Sequence, residues 1–363
     1  MKKEEKYIHK GENKMKEKDW DILLKSAQLK EQDNIPIALI VDSPWIPGYL
    51  GISHLQFYVV PEVWLEAYKK IKKDFPEVIF IPDFWVEYGM AQEPSGFGSK
   101  IIFYENSTPS IEPIINSADD LPEFLKKVKK PNPKTDGLMP LVLELYKYLE
   151  PKINSMGESI KIVAARGPFA IASHLMGVTE FLVSVKLYPE ESKKLIDITT
   201  ELVIDFLTAQ IEVLHDVEGI LVLDDIVGFF SEHDYLEFVH PSLKKIFSTF
   251  DFPVKIYHND TNNNVYYKYL PDLGINIFNF THLQNIKDVY EMTQGKICLM
   301  GNVPPLDILV KGKEEDVKRS VESILRDFGQ KKGIILSAGG GVSPGTPGEN
   351  IRALIEAVKN FKY

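Results

Sequence analysis

The chain has 363 residues, 44% of them hydrophobic and 26% charged, which fits an ordinary globular α/β protein and excludes a low-complexity or collagen-like one. Its 42 basic and 52 acidic residues leave a net charge of −10, and no basic patch interleaved with aromatics stands out, so nucleic acid is not an expected partner. No run approaches the roughly 18 uninterrupted apolar residues of a membrane span, and a single cysteine, Cys298, excludes both an internal disulfide and a multi-cysteine metal site.

The first twenty residues, MKKEEKYIHKGENKMKEKDW, are charged and lack the apolar core of a secretory signal. They read as a solvated arm ahead of a helix from Trp20 to about Lys30, and a cytoplasmic protein with no membrane association follows as the expectation. The segment 1–35 is thus an arm and helix, and a single barrel domain is expected over 36–363. PIALIVD (36–42) opens the first strand, and PEVWLEAYKKIKKDFP (61–76) is a helix punctuated by prolines. VIFIPDF (78–84) is a second short strand, and GSKIIFYE (98–105) is a strand off the main barrel. A helix follows the cap region at Asp119 and Asp120, and another covers 137–153.

From KIVAARG (161–167) the rhythm becomes regular. Helices near 178–186 and from Pro189 to about Val217 precede the strand GILVLDD (219–225). Helix 233–249, strand 253–258, helix 262–270, strand 275–280, helix 285–293, strand 296–301, helix 313–329, strand 333–337 and helix 347–361 complete the chain. Strands alternating with helices of this length predict a parallel sheet, and about eight such strands predict a (β/α)8 TIM-type barrel with an N-terminal extension. An open doubly wound sheet is the competing architecture, but no GxGxxG or GKS loop supports it.

In a barrel the C-terminal strand ends build the active site. Asp42, Arg166, Asp224, Asp225, His258, Asp260, Asn302 and Ser337 would then converge on one rim, which points to an enzyme. His258 and Asp260, two apart at a strand end, can leave the same side of the pleat as metal ligands or as a base with its orienting partner. Asp260 is equally suited to capping the next helix. Of Asp224 and Asp225, one faces the mouth and the other suits loop amides, and one residue of register decides which. Asp83 ends another strand amid an aromatic group that includes Tyr49 and Trp85, suited either to core packing or to a flat substrate face. Arg166 could clamp a carboxylate or pair with one of these acids. No GxSxG is present and Cys298 sits in apolar KICLMG, so nucleophilic hydrolysis has no support.

ARGPFAIASHLMG (165–177), LDDIVGFFSEHDYLEFVHPSLKKI (223–246), VKIYHND (254–260), LMGNVPPLDILVKGKEEDV (299–317) and ILSAGGGVSPGTPGENIRALIEAV (335–358) together resemble the superfamily of uroporphyrinogen decarboxylase and the cobamide-dependent methyltransferases. The resemblance implies a (β/α)8 barrel with its site at the C-terminal mouth. The decarboxylase branch works without metal on a tetrapyrrole bearing many carboxylates and carries arginine-rich motifs near its N-terminus. Here VDSPWIPGYLG (41–51) contains no arginine, and only Arg166, Arg319, Arg326 and Arg352 occur in the whole chain. Without those guanidiniums a multiply anionic ring would be poorly held. The methyltransferase branch resembles the chain better, and its coenzyme M-type members bind zinc through His-x-Cys and a distant Cys. His258 keeps that place, but Asp260 stands at the first cysteine and Gly340 at the second.

The resemblance therefore implies a methyltransferase moving a methyl group between a small substrate and the corrinoid of a separate carrier protein. His258 and Asp260 would hold zinc or form the polar site, supported by Asp224 or Asp225. Arg166, Tyr49, Trp85, Asn302 and Ser337 would contact the small-molecule methyl donor or acceptor. Partners are thus a corrinoid protein and a second copy in a homodimer. Two alternatives stand beside this reading: a cofactor-free decarboxylase of a carboxylated substrate using Asp83 and Arg166, and a catalytically silent tetrapyrrole-binding barrel.

Overall fold

The structure, a computed structural model, describes residues 13–362. The expected solvated arm lies, up to residue 12, outside the described residues, and the first helix begins at Asn13 and runs to Ala27. Eight parallel strands follow: β1 (Ala38–Ile40), β2 (Ile79–Ile81), β3 (Ile162–Arg166), β4 (Gly219–Leu223), β5 (Val254–Asn259), β6 (Ile277–Phe280), β7 (Cys298–Val303) and β8 (Ile334–Ala338). β3 to β8 pair in unbroken sequence order, β1 pairs with β2, and a bridge from Ile37 to Leu336 joins β1 to β8. The expected (β/α)8 barrel is the observed architecture. The expected strand at 98–105 contributes only Ile101–Ile102, paired antiparallel with Ser110–Ile111 outside the barrel.

The two-residue period of a strand divides the core in two. Ala38 and Ile40, Leu221 and Leu223, Val254 and Ile256, and Cys298 and Met300 pack in an inner cluster on the barrel axis. Their alternates, such as Leu39, Val222, Tyr257 and Leu299, pack in a larger cluster shared with the surrounding helices. Continuous apolar runs are what such strands need, because both faces are dry. Cys298 is accordingly a buried thiol, its pKa pushed up by burial.

The ring is not laddered between β2 and β3, where side chains close it instead. Glu93 Oε1 accepts the free edge amide of Arg166 at 3.0 Å, and Trp85 packs into the inner cluster. Lower in the same gap Lys72 bridges Asp83 at 2.5 Å and Glu158 at 3.4 Å. The N-terminal helix plugs the opposite end from the strand termini: its Leu23 and Ala27 belong to the inner cluster, and Trp20 Nε1 donates to Glu218.

Two helices differ from expectation. Pro168–Met176 is a helix that begins two residues after β3, and its apolar PFAIASHLM carries too little amphipathic contrast to stand out from the strand before it. The expected helix at 262–270 is instead an extended turn, Asp260 to Tyr266, followed by a 3-10 segment at Tyr267–Leu273. No single helix among the described residues is long and apolar enough to cross a membrane.

Leu23 is 3% exposed against the inner cluster. Leu23→Ala is expected to cost about 2–5 kcal/mol in urea unfolding, and a loss well under 1 kcal/mol would show that the helix does not seal the barrel.

Candidate active site

Continuing each strand's inward alternation by one step brings Asp42, Arg166, Asp225, His258, Asn279, Asn302 and Ser337 to the C-terminal end of the lumen. Strand register sets their heights: Arg166 pairs with Leu223, Leu223 with His258, and His258 with Asn279. This parity settles the choice between the two acids of β4. Asp225 faces the axis, whereas Asp224 points outward and is fully buried. There its carboxylate accepts the amides of Phe169 (2.8 Å) and Ala170 (3.0 Å), capping the helix Pro168–Met176. Asp224 therefore positions the β3 loop and does not line the mouth. Burial raises its carboxyl well above the usual range, and the two amides pull the other way.

His258 is the centre of the polar layer. Its Nδ1 lies 2.6 Å from Asn279 Oδ1, and the Asn279 amide nitrogen donates to the carbonyls of Met300 (2.7 Å) and Ala338 (3.1 Å). With the amide so oriented, Asn279 Oδ1 can only accept, so His258 carries a proton on Nδ1 and presents Nε2 to the mouth. Nε2 is 3.4 Å from Asp225 Oδ1. One donor atom each from Asp225, His258 and Asp260 lies within 4.8 Å of the other two. Asp225 Oδ1 also accepts the Asp260 amide at 3.1 Å, fixing the loop that carries the third of these groups. Burial, and then the neighbouring Asp225, raise the Asp260 carboxyl, while His258 opposes them.

Gly340 fits this arrangement closely. Its φ is +125°, and a Cβ there would stand 2.5 Å from Asp260 Oδ2. The Asp260 carboxylate occupies the space that a side chain at 340 would need.

Across the mouth stands a second cluster. Arg166, 7% exposed, stacks over the Trp85 ring at 4.9 Å and lies 3.8 Å from Glu87 Oε2. Glu87 Oε1 accepts the Ser43 amide at 3.1 Å and Oε2 accepts that of Gly89, while Tyr58 donates to Ser43 Oγ. Burial and the adjacent Glu87 push Asp42 up to about 7, against Arg166 and His258, which pull it down. His174, on the helix capped by Asp224, is held down at about 4 by burial and the Arg166 charge, so it is a neutral imidazole at neutral pH. Glu87, His174 and Asn279 were not singled out by sequence, since none ends an apolar run with an obvious partner; Asn279 alone was signalled, by the two-residue alternation of GINIFNF.

Several expected contacts lie elsewhere. Asp83 leaves the lumen because Asp83 and Phe84 take φ of +66° and +46°, which breaks the strand alternation and swings the carboxylate to Lys72. Tyr49 stacks on Trp45 outside the barrel and donates to Asp74 at 2.9 Å. Trp85 is buried beneath Arg166 and supports the guanidinium. Asn302 spends its amide on the carbonyls of Thr281 and Gln284. Ser337 is in the polar layer but fully buried, its hydroxyl without a partner among the described residues.

Two consequences can be measured. Gly340→Ala should push the Asp260 carboxylate aside and strain the backbone at 340, costing about 1–3 kcal/mol in urea unfolding; an unchanged midpoint would show that Asp260 does not fill the space at 340. Asp42 binds its proton more tightly in the folded chain than at its ordinary value of 3.8, so its contribution to stability is complete below pH 4 and is lost as pH rises through 7. Asp42→Asn should therefore flatten the decline of unfolding free energy between pH 5 and 8, by at most about 1.4 kcal/mol per pH unit. Parallel profiles for the two proteins would contradict the assignment.

The mouth can be set beside known proteins. A uroporphyrinogen decarboxylase of Thermodesulfovibrio yellowstonii is 27% identical over 272 residues, covering 73% of this chain and 75% of that protein. One from Thermus thermophilus is 24% identical over 331 residues, covering 82% and 93%. A methyltransferase from Methanosarcina mazei superposes with a TM-score of 0.78 at 21% identity, covering 93% of this chain and 97% of its own, a likeness of fold. The profile of "Uroporphyrinogen decarboxylase (URO-D)" matches residues 83–361, a span that includes Arg166, Asp225, His258, Asp260 and Gly340 and leaves Asp42 outside. The same span contains every segment on which the resemblance was read, and by it the chain belongs to the uroporphyrinogen decarboxylase family.

Proposed function

We propose that this member of the family is a metal-assisted methyltransferase, passing a methyl group from a small substrate to the Co(I) corrinoid of a separate carrier protein. The observation that carries the reading is the group Asp225, His258 and Asp260, with Nε2 of His258 left free by Asn279. A histidine whose other nitrogen is tied to an amide oxygen is oriented as a metal ligand. One nitrogen and two carboxylates leave a fourth position open, as catalytic zinc sites do. When bound, zinc would act as a Lewis acid on the heteroatom of the methyl donor.

The chain's own residues do the rest. In the overall transfer the CH3–X bond breaks with its electron pair on X, Co(I) supplies two electrons to the new cobalt–carbon bond, and X takes a proton. Asp42, which keeps a proton close to neutral pH, stands across the mouth as the source of that proton. Arg166, braced by Trp85 and Glu87, orients an acidic or polar group of the donor.

The charge of the mouth weighs against a ring bearing many carboxylates. Asp42, Glu87, Asp225 and Asp260 gather there around a single guanidinium. A decarboxylase of a smaller carboxylated substrate is the second reading, favoured by the protonated Asp42 beside Arg166 and by the names of the relatives. Metal dependence separates the two. Purified protein is expected to hold about one zinc per chain, lost in His258→Ala and weakened in Asn279→Ala. It should form methyl-corrinoid from a methoxyaromatic donor, whose ether oxygen has a lone pair for the metal, with cob(I)alamin, free or carrier-bound. A metal-free protein that releases carbon dioxide and methylates no corrinoid would overturn the proposal.

A further inference from the structure

The guanidinium of Arg166 is buried and yet incompletely paired. Its side chain is more than nine-tenths buried, and its ion pair with Glu87 Oε2 stands at 3.8 Å, beyond hydrogen-bond length. Among the described residues none accepts a hydrogen bond from the guanidinium. A cation with several N–H donors is costly to bury in that state. None of its nitrogens is sealed from solvent, so the fork opens on space that a ligand can enter.

Glu87 is kept from closing on Arg166. Its Oε1 accepts the Ser43 amide and its Oε2 the Gly89 amide, so the backbone holds both oxygens. Trp85 supports the guanidinium from the other side, with its ring centroid 4.9 Å away. The fork is thus fixed in place with its charge only partly answered. Its titratable neighbours bring no second cation, since His174 is a neutral imidazole and Asp42 is a carboxyl that keeps its proton up to about 7.

We propose that Arg166 seats one carboxylate of the substrate and that Glu87 limits the substrate to a single such group. Identifying that substrate as the methyl donor rests on the methyltransferase reading, whereas the seat itself does not. A carboxylate matches the planar fork with two parallel hydrogen bonds. A second carboxylate, or the second charge of a phosphate, would meet the fixed Glu87 with no further cation to answer it. A neutral ligand leaves the buried fork without a charged partner. One small molecule can reach both halves of the mouth: Arg166 and His258 share a level on strands two apart, a backbone separation of about 10 Å. Asp42 lies between them in the electrostatic sense, since both charges act on it. The donor is therefore a small monocarboxylic acid with its methyl-bearing oxygen at the other end.

The test compares three probes built on one ring, 3-methoxybenzamide, 3-methoxybenzoate and 5-methoxyisophthalate, which carry no, one and two negative charges. Calorimetry on the purified full chain, with and without zinc, is expected to find the benzoate bound about 10–100-fold more tightly than either of the others. Arg166→Gln should bring the benzoate down to the level of the amide and leave the amide affinity unchanged, which also reports a folded chain. Glu87→Gln should tighten the isophthalate more than the benzoate. Equal affinity of the wild type for benzoate and amide would overturn the seat without recourse to any variant. A preference that survives Arg166→Gln, or that exists only with zinc, would overturn it too by giving the carboxylate to another group. An isophthalate that binds as well as the benzoate, or that gains nothing from Glu87→Gln, would remove the limit assigned to Glu87. Selective benzoate binding with no methyl passed to cob(I)alamin would leave the seat standing and overturn the methyltransferase reading alone.

Discussion

In this barrel the pleat decides which polar groups meet. Each parallel strand sends alternate side chains to the axis, and neighbouring ladders fix their heights, so Arg166, His258 and Asn279 share one level. Shifting β4 by one residue would exchange Asp224 for Asp225. A shift in one direction would cost the helix Pro168–Met176 its cap, and in the other it would cost His258 its neighbouring carboxylate, so the observed register serves both. Apolar packing around the lumen therefore specifies the site: Leu221 and Leu223 must face inward, and Asp225 follows them.

That constraint also explains the mouth's division. On the β4–β6 side the ladders are continuous and the polar groups are held by neighbouring strands, as His258 is by Asn279. On the β2–β3 side no ladder exists, and side chains replace it: Glu93 takes the Arg166 amide, and Trp85 fills the gap beneath the guanidinium. Burying Arg166 there is tolerable because Glu87 stands beside it and the indole face receives its charge. Glu87 in turn is held by the amides of Ser43 and Gly89, so it cannot turn away when Asp42 ionises. The repulsion between these two carboxylates is thus built into the backbone, and it adds to burial in keeping a proton on Asp42.

Much of this was legible in the sequence, for a stated reason in each case. Apolar runs ending in polar residues located the strands, because a strand dry on both faces has no other composition to use. His258 and Asp260 stood out because they end such a run two residues apart. The pair at 224 and 225 was ambiguous because parity depends on register, which is a tertiary quantity. Asp83 was misplaced since positive φ at two non-glycine residues leaves no mark in composition. Tyr49 belonged to an aromatic cluster whose location, outside the barrel, only helix packing could reveal. Asn302 ends a strand as a site residue would, yet its amide is consumed by two carbonyls, and the same holds for Asn263.

Residues 260 and 340 have to be considered together. With the backbone at 340 as it stands, a Cβ would contact Asp260 Oδ2 at 2.5 Å, so an aspartate at 260 and a side chain at 340 exclude one another in this conformation. The positive φ at 340 makes the same demand independently, since it is a conformation that L side chains rarely adopt. Set against the two cysteines of the coenzyme M-type members that the sequence resembles, Asp260 and Gly340 read as one change with two parts: the glycine makes room, and the carboxylate fills it. On the proposed reading the exchange hardens the site. Two soft thiolates would stabilise a thiolate acceptor, whereas two carboxylates and an imidazole leave a more electrophilic metal suited to an oxygen or nitrogen substituent. The departure from the sulfur ligands of the coenzyme M-type branch thus bears, on that reading, on what the methyl group is attached to.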